Sequence, residues 1–249
     1  MNWILSVLIV FAVSCKGATR EDNLPEDKLT FTLDSLIREV CVGEECARLR
    51  LSWPVAKGDA NANINEVIQD QLLGFLQVGE EPWVHLDSAA NAFFTSFKEF
   101  KKEFPDSFGA WEIEVNGNLS YESDSTVSVL FEQYNYLGGA HPNSSVVFLN
   151  FDKKSGDYLS TDRLIIDQTK VTLLAEQKFR DFHEVEKGVS LMDDGRFFLP
   201  ETGFFLANAA GFKEGKFWII YVPYEIGPYA LGYSKLEFTK EELGESVRW

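Results

Sequence analysis

The chain of 249 residues carries 23 basic and 39 acidic residues, a formal net charge of −16, and is 45% hydrophobic and 14% aromatic. A surface this acidic repels nucleic-acid phosphates and anionic headgroups, which argues against a nucleic-acid partner, and it attracts basic ones. With 21 Phe, 8 Tyr and 6 Trp to bury, the chain is not intrinsically disordered, and its length suits one large domain or two small ones.

Residues 3–13 form an apolar run well short of the roughly 20 residues that span a bilayer. The run ends in Phe11-Ala12-Val13-Ser14-Cys15. Small residues before a Cys are what lipoprotein signal peptidase accepts, so residues 1–14 read as a signal peptide and Cys15 as the lipidation site. No Lys or Arg precedes the run, and Ala12 stands where Leu is commoner. The alternatives are an ordinary secretory signal with an accidental Cys, or a buried strand. Residues 15–27 are polar and turn-rich, and read as a flexible tether. One acyl chain holds a protein only marginally, at about 0.8 kcal/mol per buried methylene, whereas a multiply acylated Cys anchors it firmly. The expected address is therefore the bacterial cell envelope, with the body facing the periplasm or the exterior and the lipid as its only membrane contact.

Two or three strands are expected around Cys41 and Cys46, which flank Val42-Gly43-Glu44-Glu45. An even pair of Cys in an oxidising compartment favours a disulfide, worth roughly 2 kcal/mol by loop-closure entropy. Half a metal site is the alternative, and it lacks a partner Cys or a nearby His. A first helix holds Ile64, Ile68, Leu72, Phe75 and Leu76 on one face, with Asn61 or Asn63 as its cap. A second covers residues 87–104, with Phe93, Phe94, Phe97 and Phe100 on its apolar stripe. Strands follow at Trp111-Glu112-Ile113-Glu114-Val115, at residues 127–131 and at residues 146–151, with turns expected at Asn116-Gly117-Asn118 and at Asp124. A third helix covers residues 169–185. Strands at 204–206, 217–222 and 234–238 and a short helix at 240–244 complete the pattern. Helices and strands do not alternate strictly, so the expected fold is α+β: largely antiparallel sheet or sheets packed with about three amphipathic helices. A signal peptide (1–14), a tether (15–27) and two halves (28–135 and 136–249) describe the organisation, and the two halves are compatible with one compact body.

Little in this sequence spells out catalysis. None of the three His lies at metal-ligand spacing from another, no Gly-x-Ser-x-Gly elbow occurs, and neither a metal nor a cofactor is expected. His85 precedes the second helix without an evident partner. His183 ends the third helix, where a partly positive imidazole suits the helix dipole. His141 lies in Tyr136-Leu137-Gly138-Gly139-Ala140-His141-Pro142-Asn143, a stiff turn between strands, and is either a rigid turn His or a ligand contact. Three Tyr, two Pro and two Gly crowd residues 221–232. Tyr224, Glu225 and Tyr229 there are candidates for recognition, and core packing at a sheet corner is the alternative.

These two segments carry a family resemblance. The run from Tyr136 to Asn143, with Asn150-Phe151-Asp152 and Gly156, and then Tyr224-Glu225-Ile226-Gly227-Pro228-Tyr229-Ala230-Leu231-Gly232, resembles the C-terminal domain of unknown function of RsiV-type anti-sigma factors. The preceding half, through Trp53-Pro54 and the segment from Asn61 to Ile68, is similar to the N-terminal domain of PdaC-type peptidoglycan deacetylases. The resemblance implies an extracytoplasmic α+β sensing or binding module; RsiV-type members recognise lysozyme. No anti-sigma segment, membrane-spanning helix or deacetylase domain is expected on this chain.

The reading is a non-catalytic binding module for a basic protein such as lysozyme or for a peptidoglycan-type glycan. Its contacts would come from Tyr136, Gly138, Gly139, His141, Asn143, Tyr224, Glu225 and Tyr229. The rival is a cell-wall-directed hydrolase with His141 as base and Asp152 or Glu225 as its orienting partner. The N-terminal reading has a direct test. Cys15→Ala should move the protein from the detergent phase to the aqueous phase in a phase-partition assay; retention in the detergent phase would overturn lipidation there.

Overall fold

The computed structural model describes residues 28–58, 60–77, 82–107 and 109–249. The expected signal peptide, Cys15 and the tether lie outside the described residues. Among the described residues no helix is long and apolar enough to cross a membrane.

β1 (Thr30–Val42) and β2 (Glu45–Lys57) form a long antiparallel hairpin, with Cys41 opposite Cys46 and the two joined by a disulfide. α1 (Asn61–Phe75) and α2 (Leu86–Glu103) then carry the chain over one face of the sheet. That crossover lets β3 (Trp111–Glu122) return parallel to β2. β4 (Thr126–Tyr136) and β5 (Asn143–Asp152) follow as antiparallel neighbours, giving the sheet order β1-β2-β3-β4-β5. The boundary expected at 135/136 falls inside the β4–β5 hairpin. After α3 (Thr161–Leu164) and α4 (Gln168–Phe182), a second antiparallel sheet is made of β6 (Ala209–Lys213), β7 (Lys216–Tyr221) and β8 (Ser234–Phe238). α5 (Lys240–Leu243) closes the chain with a Thr239/Glu242 capping box. The architecture is α+β, as the pattern of elements implies.

Three cores hold these layers. α1 and α2 set Ile64, Ile68, Phe93 and Phe97 against Leu49, Leu51, Val115 and Phe131 of the large sheet. α4 packs Val171, Ala175 and Phe179 against Phe217, Ile219, Tyr221 and Leu236 of the small one. Between the sheets lies a smaller cluster of Leu130, Val146, Phe148, Ala209 and Ile220. β4 is buried without a break from Thr126 to Phe131 because both its faces are covered there. The small sheet covers only part of that face. The rows Ile37–Arg50–Glu114–Tyr134 and Ser35–Ser52–Asn116–Glu132 run across β1 to β4 outside this contact and are exposed or half-buried.

The sheet–sheet contact is close at two points. A Cβ on Gly211 would stand 2.5 Å from Cβ and Cγ of Phe148. The buried Asn150 takes a bond from Ser128 Oγ (2.6 Å) and donates to the Ala210 carbonyl (2.9 Å). Ser120 Oγ donates to the Phe212 carbonyl at 2.7 Å. The chain end seals the same side: Thr126 Oγ1 donates to the Arg248 carbonyl (3.1 Å), and Trp249 packs on Phe212.

Several local expectations are corrected. Asn116-Gly117-Asn118 is not a turn but the middle of β3; Gly117 lies under the Phe131 ring, where a Cβ would come within 2.3 Å of it. The turn into β4 lies at residues 123–125, where the expected turn at Asp124 falls. Residues 204–206 form no strand. Their rings and chains pack on the second core while the Phe205 carbonyl accepts from Tyr221 Oη at 2.5 Å, and the strand begins at Ala209. Neither Asn61 nor Asn63 caps α1; Ala60 is the N-cap residue, and Asn63 donates to the Ser155 carbonyl at 3.3 Å. α4 ends at Phe182, short of 185.

Gly211→Ala tests the sheet–sheet contact. The added methyl forces Phe148 or the strand to move, so unfolding stability should fall by about 1–3 kcal/mol in urea titration. An unchanged midpoint would mean that the sheets do not approach as described.

Candidate functional site

The loop of residues 137–142 joins β4 to β5 at the end of that hairpin. Gly138 adopts φ 83°, a left-handed value that favours glycine, beside the Trp111 indole nitrogen. The chain then turns so that His141 faces the small sheet's 222–232 loop. His141 Nδ1 lies 3.1 Å from the Pro142 carbonyl oxygen. A carbonyl only accepts, so Nδ1 carries the proton and, in the neutral ring, Nε2 is the acceptor. Tyr224 Oη donates to that Nε2 at 2.9 Å. Tyr229 stacks on the imidazole, with centroids 4.3 Å apart and planes 19° apart. The two Tyr rings lie 5.7 Å apart, so the three rings form one cluster. Tyr224 is 53% exposed and Tyr229 38%, which places the cluster on the surface rather than in a core.

The partner loop is braced by a carboxylate. Glu225 Oε1 accepts from the Asn208 backbone N–H (2.9 Å) and side-chain amide (3.2 Å), and Oε2 accepts from the Val222 N–H (3.1 Å). Tyr224, at φ 73°, holds a left-handed conformation that costs a non-glycine residue about 1–2 kcal/mol. Ile226 and Gly227 are buried, and the short 3₁₀ turn Tyr229–Leu231 follows Pro228. The two expected segments therefore meet, through His141, Tyr224 and Tyr229. The other residues singled out contribute differently. Gly138 and Gly139 shape the turn, Tyr136 ends β4 opposite Glu112, Asn143 opens β5 opposite Asn135, and Glu225 is a brace.

The hydrolase arrangement is not assembled. His141 bonds to Pro142 and Tyr224 and to neither carboxylate. Glu225 is engaged as described. Asp152 Oδ1 accepts from the Lys154 and Ser155 N–H groups at 2.9 Å each, while Oδ2 pairs with Arg248. The Ser155 N–H bond leads the effects that hold the Asp152 carboxyl below the ordinary carboxylate range. The remaining His are also placed. His183 follows α4 with Nε2 2.7 Å from Ser234 Oγ, and burial pushes its pKa down. Burial, with the Arg196 charge acting in the same direction, disfavours the partly positive imidazole that the helix end suggests. His85 sits at the N-cap of α2 and lines a cavity described below. Glu39 lies beside Cys41 and Cys46, but a disulfide offers no thiolate for a metal.

Residues 41–144 match the family described as Deacetylase PdaC. The peptidoglycan-N-acetylmuramic acid deacetylase PdaC of Bacillus subtilis (strain 168) is 23% identical over 175 residues, 66% of this chain. The chain spans 36% of the length of that relative. A DUF3298-family protein from Bacteroides fragilis has a similar fold, with a TM-score of 0.64 and 17% identity over 90% of this chain and 96% of that one. A second DUF3298-family structure, from Pseudomonas aeruginosa, gives 0.62 and 17% over 88% and 95%. The chain thus carries a PdaC-like domain within a DUF3298-type fold.

Asp152 supplies the test that separates a brace from a catalytic group. Asp152→Asn should lower stability at neutral pH by about 1 kcal/mol, through bonds weakened on loss of charge. Because the folded-state pKa is depressed, the wild-type advantage is present above the ordinary value of 3.8 and disappears as pH falls below it. Equal melting temperatures at pH 7 would refute the bracing role.

Proposed function

We propose that the chain is a non-catalytic binding module of the bacterial cell envelope, lipid-anchored at Cys15, whose His141–Tyr224–Tyr229 surface takes a basic protein of the lysozyme kind. The observation that carries this reading is the exposed, preformed three-ring cluster with its assigned proton. Tyr224 spends its own hydrogen on His141, so the lone pairs of its oxygen stand free to accept from a Lys, Arg or hydroxyl donor. Rings braced in this way lose little entropy on binding. The electrostatics favour a cation. On the open face of the large sheet Arg50 pairs with Glu112, whereas Glu114 and Glu132 stand in neighbouring rows with no salt bridge among the described residues. The resemblance of residues 136–143 and 224–232 to the RsiV-type domain supports the same partner class. A peptidoglycan-type glycan is the second reading, favoured by the flat exposed faces of Tyr224 and Tyr229.

Binding to hen lysozyme, measured by calorimetry across ionic strength, tests the proposal. Affinity should fall as salt rises. His141→Ala and Tyr224→Ala should each weaken binding roughly tenfold, with melting temperatures near wild type. Absence of binding at low salt would eliminate the lysozyme reading. Variants that lose stability yet keep affinity once folded would place the binding face elsewhere.

A further inference from the structure

A second site lies in the PdaC-like half, on the helix side of the large sheet. A cavity of about 560 Å³ opens between the β1–β2 hairpin, the middle of α1 and the start of α2. Its volume falls within the roughly 300–1,000 Å³ usual for small-molecule sites. Leu36, Ile68 and Leu72 form its apolar floor. Trp53 adds a half-buried indole whose N–H has no hydrogen-bond partner among the described residues. The polar rim is mixed. Gln69 donates one amide hydrogen to the Val84 carbonyl (3.3 Å), and its oxygen has no partner among the described residues. Asp87 pairs with Arg38 through Oδ1 only, and Asp34 accepts only from the Ser35 N–H, at 2.8 Å. His85 has no hydrogen-bond partner for either ring nitrogen among the described residues. The wall is prearranged: Asn65 bonds to both the N–H (2.8 Å) and the carbonyl (3.0 Å) of Ala56, fixing the end of β2 against α1.

We infer that this cavity is a subsite for an uncharged sugar ring, such as an N-acetylhexosamine in a short oligosaccharide. A pyranose has an apolar C–H face and hydroxyls that each donate and accept, and the cavity offers an indole with an apolar floor beneath a rim of donors and acceptors. Asp34 and Asp87 line the cavity and only Asp87 is paired with a cation, Arg38, so an anionic sugar meets an excess of negative charge. None of this rests on the His141 cluster, which belongs to a different part of the fold.

Calorimetric titration of the intact protein with tri-N-acetylchitotriose decides the matter. Saturable one-to-one binding is expected, weakened about tenfold by Trp53→Ala and several-fold by Gln69→Ala, in keeping with one aromatic contact and one hydrogen bond. Gln69 is exposed, so its variant keeps the test decisive if Trp53→Ala does not fold. Leu173→Ala, at an exposed position of α4 far from both sites, should leave sugar affinity unchanged. The inference is overturned if the trisaccharide fails to bind, or if Gln69→Ala and a folded Trp53→Ala retain full affinity. It is equally overturned if Nα-acetyl-lysine amide binds more tightly than the sugar, which would make the cavity a cation site.

Discussion

One buried amide governs how the two sheets can sit. Asn150 is 3% exposed, and with water excluded its side chain must find partners within the protein. It finds Ser128 on its own sheet and the Ala210 carbonyl on the other, while its backbone carbonyl accepts from Leu159 at 2.7 Å. Gly211, next along β6, removes the side chain that would hold the strands apart at Phe148. A slip of β6 by one residue would present Cβ-bearing neighbours to Phe148 and orphan the amide together. The register of β6 sets β7, and β7 feeds the 222–232 loop, so the meeting of Tyr224 with His141 follows from this contact.

The same account explains which parts could be read from the sequence. α2 and α4 were legible because Phe93, Phe97 and Phe100, and Val171, Ala175 and Phe179, repeat at helical spacing over several turns. Asn116-Gly117 misled because its turn chemistry is local, whereas the reason for Gly117 is the ring of Phe131 on the neighbouring strand. Phe204 to Leu206 misled because apolarity marks burial without marking ladder partners. The three-ring cluster was half legible: two Gly- and Pro-stiffened segments stood out, yet nothing in either one specified that His141 would take its bond from Tyr224. The Trp53 cavity was not legible at all. Its walls come from separate segments around Leu36, Trp53, Ile68 and His85, and no pattern within any one of them points to the others.

The acidity of the chain is not spread as an inert coat. Several carboxylates are structural fasteners. Glu225 ties the second loop to Asn208 and Val222, Asp152 ties the β5 turn to Arg248, and Asp167 caps α4 through the Lys170 N–H at 2.9 Å. Glu45 pairs with the buried Lys101 and accepts from the Gly109 N–H at 3.0 Å, which secures the disulfide-closed hairpin tip to the end of α2. The Lys101 bond, and then that N–H, hold the Glu45 carboxyl below its ordinary range. The formal excess itself is undiminished, because each salt bridge removes one charge of each sign; Glu114 and Glu132, on the open rows of β3 and β4, are part of what is left to meet a partner.

The His141 cluster is built from two loops that share no strand, the imidazole coming from one sheet and both phenols from the other. Each loop has its own internal support: Gly138 over Trp111 in one case, the Glu225 brace in the other. Sequence change can therefore accumulate in the phenol-bearing loop without disturbing the hairpin that presents the imidazole. Such modularity lets one scaffold diversify its recognition surface by drift in a dozen residues while both sheets stay as they are.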